Sequence, residues 1–201
     1  MTAPIEFYFE FSSPYGYLAA ERIDDVAARH GRDVVWKAFL LGAVFKLEGT
    51  QPLTQYPRKG EYSRHDFARS ARLNGIEFNM PANFPIAAIA TSRAFWWLDA
   101  MDHRMAKEFA RAAYRAFFVE GRDIAKAELC ADLAAALGAD RQALLSGIET
   151  PEIKAKLRNE TDDAIHKRGV FGSPFMFVDG EPFWGADRLD MMERWMETGG
   201  W

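Results

Sequence analysis

An α/β fold that runs strand-helix-strand, then a long helical block, then strand-strand-helix is predicted by three features of this 201-residue chain. Period-two apolar runs stand near the two ends, alanine-rich helical stretches fill the middle, and an Asp-Gly pair joins the last two apolar runs.

The first strand is expected over Ile5 to Phe11, where large apolar residues alternate with polar or aromatic ones. A helix is expected over Tyr17 to His30, with Leu18, Ile23, Val26 and Ala27 near helical spacing, and a second strand over Val34 to Phe39. Together these make a β-α-β unit. From Ser63 to about Gly169 strand signals vanish and good helix formers dominate Ile86 to Met101, Met105 to Val119, Ala125 to Leu137 and Glu152 to Lys167. Breaks fall at Pro81 to Pro85, Glu120-Gly121, Gly138-Ala139 and Thr150-Pro151. Strand character returns at Phe175 to Val178 and, after Asp179-Gly180, at Glu181 to Trp184; a helix from Arg188 to about Glu197 closes the chain. That is the order of a thioredoxin-like fold interrupted by an all-helical insertion. One folded unit is expected, with residues 1–62 and 168–201 as the thioredoxin-like part and 63–167 as the insertion.

Composition narrows the function. Hydrophobic residues at 49% and charged residues at 27% exclude a largely disordered chain, and a net charge of −4 supplies no basic footprint for nucleic acid. No run approaches the roughly 18 apolar residues of a membrane span, and Met1-Thr2-Ala3-Pro4 leads into a strand without the basic and apolar regions of a signal peptide. A cytoplasmic location is expected. The single cysteine, Cys130, gives no internal disulfide framework.

The junction Ser13-Pro14-Tyr15-Gly16 lies between first strand and first helix, where a dithiol redox protein keeps a Cys-x-x-Cys pair. Neither end position is cysteine here, so thiol chemistry at this junction needs a borrowed thiol. Ser13 has two compatible readings. It is a favoured helix N-cap followed by proline at the first helical position. Its hydroxyl also has a donor for a bound thiolate, which the positive end of the helix stabilises. A thiol pKa near 8.5 falls by about two units for about 2.7 kcal/mol, the size of one charge-assisted hydrogen bond plus a helix dipole.

Gly169 to Pro174, before the third strand, is the second piece. A cis bond at Ser173-Pro174 would turn the Ser173 N–H and C=O toward the helix N-terminus, where a peptide ligand pairs like an added strand; the alternative is an ordinary trans proline opening an edge strand. Asp187 is either a cap of the last helix or a carboxylate that, with adjacent N–H groups, holds an α-ammonium and an α-carboxylate. Lys59 is either a solvated loop cation or a clamp on a ligand carboxylate. His30, His65, His103 and His166 show no metal spacing, and no metal is assigned.

In order and spacing, Phe9 to Tyr15, Leu40-Leu41-Gly42, Pro57 to Tyr62, Pro81 to Phe84, Gly169 to Pro174 and Phe183 to Leu189 resemble the kappa-class glutathione transferases and, more closely, the bacterial 2-hydroxychromene-2-carboxylate isomerases of the same DsbA-like superfamily. The resemblance implies glutathione as cofactor, with Ser13 at the sulfur, Ser173 before cis-Pro174 on the cysteinyl backbone, Lys59 near the glycyl carboxylate and Asp187 at the γ-glutamyl end. Thr50 stands where relatives often have asparagine, with a hydroxyl still able to bond. Ala186 stands where they often have serine or asparagine and offers only its backbone.

The implied reaction interconverts 2-hydroxychromene-2-carboxylate and trans-o-hydroxybenzylidenepyruvate in aromatic hydrocarbon catabolism, by reversible thiolate addition, bond rotation and elimination. Tyr15, Asn83, Phe84, Phe171 and Trp184 are the candidate wall for the small aromatic substrate. A homodimer is implied as well. Two other functions stay open: a kappa-like glutathione transferase or peroxidase that consumes glutathione, and a non-catalytic thioredoxin-fold module that binds peptides.

Overall fold

A computed structural model describes residues 3–201, so the reading of the Met1-Thr2 start lies outside the described residues. The chain forms β1 (Ile5–Phe9), α1 (Pro14–Ala20), α2 (Ile23–Arg29), β2 (Val34–Ala38), α3 (Leu41–Glu48), α4 (Pro57–Leu73), α5 (Ile89–Asp99), α6 (His103–Phe118), α7 (Ala127–Ala136), α8 (Arg141–Gly147), α9 (Pro151–His166), β3 (Phe175–Val178), β4 (Glu181–Trp184) and α10 (Leu189–Thr198), with single 3-10 turns at Leu53–Gln55 and Ala186–Arg188. The sheet order is β2-β1-β3-β4: β1 runs parallel to β2 and antiparallel to β3, and β4 pairs antiparallel with β3. This is the thioredoxin-like arrangement with helices between its two halves. Among the described residues no helix is long and apolar enough to cross a membrane.

β1 is central, with packing on both of its faces. Ile5, Phe7 and Phe9 join the larger core with Trp36, Phe95 and Tyr114, whereas Tyr8 joins Phe39, Val44, Ala164, Phe175 and Phe177 beneath α3 and α9. The Phe9 ring meets the Trp36, Phe95 and Phe11 rings edge-on at 5.1–5.3 Å, an arrangement that locks the C-terminal end of β1 in place. The β3–β4 turn has positive φ at both Asp179 (54°) and Gly180 (91°), the conformation that matches strand twist and that the Asp-Gly pair signals.

Three elements differ from the sequence-based expectation. The helix expected over Tyr17 to His30 is two helices, because at Arg22 the hydrogen bond shortens to Arg22 N–H→Ala19 O; the turn lets Ala19, Ala20, Ile23, Val26 and Ala27 all face the core. α3 was not anticipated. α4 begins at Pro57, so the expected division at 62/63 falls inside a helix.

Candidate functional site

β1 ends and β3 begins at the same end of the sheet, where the segments after β1 and before β3 meet. From Glu10 the chain turns tightly, Ser13 N–H donating to Glu10 O at 3.0 Å. α1 then starts at Pro14, and Ser13 is its N-cap, its Oγ accepting from Gly16 N–H at 3.0 Å. The same hydroxyl donates to the Ser173 carbonyl at 2.9 Å. The Ser173-Pro174 bond is cis, as is Phe84-Pro85. Ser173 Oγ accepts from Glu10 N–H at 2.9 Å, and the Ser173 N–H has no partner among the described residues.

Gly16 is required by close approach. A Cβ there would come within 2.8 Å of the Tyr114 hydroxyl and 3.0 Å of Ser173 Oγ. Tyr114, fully buried on α6, donates to Glu10 O at 2.9 Å, and burial raises its pKa well above the ordinary tyrosine value. The helical block thus buttresses the turn that presents Ser13.

Glu10, Ser13 and Ser173 floor a cavity of about 860 Å³. Of the residues expected at a site, Ser13, Tyr15, Thr50, Lys59, Phe84, Phe171, Ser173, Trp184, Ala186 and Asp187 line it; Pro174 and Asn83 do not, Pro174 being buried behind Ser173 and Asn83 exposed. Thr50 follows the left-handed Gly49 at the end of α3. Lys59 lies in the first turn of α4, which has no side-chain cap, and its Nζ sits 5.3 Å from the centroid of the Tyr56 ring with no carboxylate in salt-bridge range among the described residues. A Cβ at Gly60 would come 2.7 Å from the Thr54 carbonyl, so the 50–56 segment rests directly on this turn.

Trp184 and Phe171 are exposed, at 55% and 44%, and pack edge-on at 4.8 Å over Gly172, where a Cβ would fall 2.2 Å from the indole nitrogen. Asp187 does not cap α10. Its carboxylate folds over Gly185, bonds Arg188 at 2.7 Å and stays largely exposed. Tyr15 donates to Asp66 at 2.6 Å, and Arg69 also binds that carboxylate, so the phenol is fixed while its ring packs edge-on against Phe67.

Glu10 was missed by the sequence reading. It is 5% exposed and lines the cavity, and burial pushes its carboxyl up to about 7 despite hydrogen bonds from Ser12. Ser12 N–H and Oγ donate to one oxygen, Oε2, at 2.9 and 2.6 Å. A carboxylate inside Phe7-Tyr8-Phe9-Glu10-Phe11, directly before the Ser-Ser-Pro turn, was the available signal.

Residues 4–197 match the family model of the DSBA-like thioredoxin domain. A 2-hydroxychromene-2-carboxylate isomerase of Sphingobium xenophagum is 30% identical over 98% of this chain and 99% of its own length. The solved structure of a 2-hydroxychromene-2-carboxylate isomerase superposes with a TM-score of 0.87 at 30% identity, over 96% of this chain and 94% of the other. Glutathione S-transferase kappa 1 of Rattus norvegicus is 27% identical over 96% of this chain and 92% of its own.

Proposed function

Because the chain belongs to the DSBA-like thioredoxin domain family, alongside full-length isomerase relatives, we propose that it is a glutathione-dependent isomerase acting on 2-hydroxychromene-2-carboxylate and trans-o-hydroxybenzylidenepyruvate. The observation that carries this reading is the Ser13 hydroxyl, which meets the Ser173 backbone at the N-terminus of α1 in a cavity that Lys59, Phe84, Phe171 and Trp184 also line.

The residues present suit a cysteinyl tripeptide. Ser173 offers an unpaired N–H and a carbonyl held only by a hydroxyl, the pair that an extended backbone needs. Lys59 and the uncapped first turn of α4 suit a carboxylate, and Asp187 suits an ammonium. When bound, glutathione supplies a thiolate that adds reversibly to the conjugated carbon and turns a double bond into a rotatable single bond. Ser13 and the α1 N-terminus hold negative charge at the sulfur position. Phe84, Phe171 and Trp184 provide an apolar face for the aromatic ring, and Tyr15, tied to Asp66, adds a ring held in place. The same reading carries a homodimer and a cytoplasmic location, checked by light scattering and by cell fractionation.

The test is a spectrophotometric assay on 2-hydroxychromene-2-carboxylate with and without glutathione, following both isomer and free thiol. Isomerisation that needs glutathione but leaves its concentration unchanged supports the proposal. The kappa-class relative favours a second reading, transfer of glutathione to an electrophile, which predicts loss of free thiol and no isomerisation.

A further inference from the structure

The buried carboxyl of Glu10 has a structural use that occupies half of it. Oε2 takes both hydrogen bonds from Ser12 and so shapes the turn into α1. Oε1 has no hydrogen-bond partner among the described residues, and Glu10 is one of the residues that line the cavity. The turn joins Glu10 directly to Ser13, and Ser173 Oγ holds the Glu10 N–H. No cation pairs with this carboxyl among the described residues, since Arg22 binds Asp190 and Arg188 binds Asp187. From α6 the titratable group facing Glu10 is Tyr114, which donates to its backbone and stays protonated.

We propose that Glu10 is the proton acceptor of this site: as a thiol docks at Ser13, Oε1 takes its proton. The S–H bond breaks, the electron pair stays on sulfur, and an O–H bond forms on Glu10; the proton returns when the ligand leaves as thiol. Charge is conserved within the cavity, so a thiolate and a carboxylate never share this poorly solvated floor. Burial favours the protonated carboxyl, and its position near neutrality matches the task. The inference rests on the glutathione reading and adds a residue to it.

The test is calorimetric titration of glutathione into the full chain at pH about 8, where a carboxyl of pKa about 7 is mostly ionised, in two buffers of different ionisation enthalpy, with thiolate absorbance read in parallel. The expected wild-type result is a thiolate band with well under half a proton released per bound ligand. Glu10→Gln should either release close to one proton or lose the band. A wild-type release near one proton, or a Glu10→Gln chain that keeps both the band and the low release, overturns the proposal.

Failure of the wild type to bind glutathione removes the glutathione reading itself and takes this inference with it. Should Glu10→Gln not fold, Ser12→Ala keeps the carboxyl but removes a hydrogen bond that favours its charge. The pH below which binding begins to release protons then rises; an unmoved profile overturns the assignment.

Discussion

Ser13 gives its one hydroxyl proton to the Ser173 carbonyl at 2.9 Å while the same oxygen accepts from Gly16 at 3.0 Å. Its donor is therefore engaged until another N–H satisfies Ser173. If glutathione binds as proposed, its cysteinyl N–H would satisfy the Ser173 carbonyl, and thiolate stabilisation by Ser13 would then be conditional on that backbone pairing. Small thiols without a peptide backbone are expected to be poor substitutes for glutathione.

Ser13→Ala removes the cap acceptor and the donor together. Stability should fall by about 0.5–2 kcal/mol, read by chemical denaturation. Turnover should fall more than about tenfold while glutathione still binds. A chain that acts only as a binding module would keep its function, and that result would count against an enzyme.

Gly16→Ala forces a Cβ toward the Tyr114 hydroxyl and Ser173 Oγ. The expected cost is about 1–3 kcal/mol, with loss of activity because the cap turn moves. Tyr114→Phe added to Gly16→Ala should recover part of the loss, giving a favourable coupling of about 1 kcal/mol in the double-mutant cycle. Strict additivity would mean that the two residues do not share this space.

The pH dependence of stability has a definite sign at Glu10. The folded pKa, about 7, lies above the ordinary glutamate value of 4.5, so the native state prefers the protonated form. The stabilisation is complete below about pH 4.5 and is lost as pH rises through about 7. Glu10→Gln escapes that loss, so relative to wild type it should gain stability at pH about 8 over pH about 5, by on the order of 3 kcal/mol. Thermal melts at the two pH values decide it, and a gain at the lower pH instead would reverse the reading.

Lys59→Met should weaken glutathione binding by about two- to fivefold, the worth of an exposed charge pair, with kcat nearly unchanged. Added salt should weaken the wild type toward the variant. Lys59→Arg should keep most of the affinity. Equal binding by all three chains, measured calorimetrically, would remove Lys59 from the ligand.

The four strands were legible because alternation and the Asp179-Gly180 turn are local signals, and the structure places β3 and β4 as expected. α4 was partly hidden because its buried stripe is Gly60, Ser63, Phe67 and Ala71: the spacing is helical, but two of the four carry little apolar signal. The α1–α2 break contains neither glycine nor proline, so only packing reveals it. At the site, Ser13, Ser173 and Lys59 could be named from motifs. Glu10 could not, since its distinction is burial, and burial of a polar residue in a strand is set by what later packs over it.

Ser13 and Ser173 are 160 positions apart, and Glu10 and Ser173 163. The loop that closes this floor spans nearly the whole polypeptide, and its closure entropy is recovered only when the β3–β4 hairpin docks beside β1. Helices of the middle block form from near neighbours, but the floor has no partial form. Acquisition of ligand binding during refolding is therefore a clock for the last long-range event, and it should lag behind helix formation.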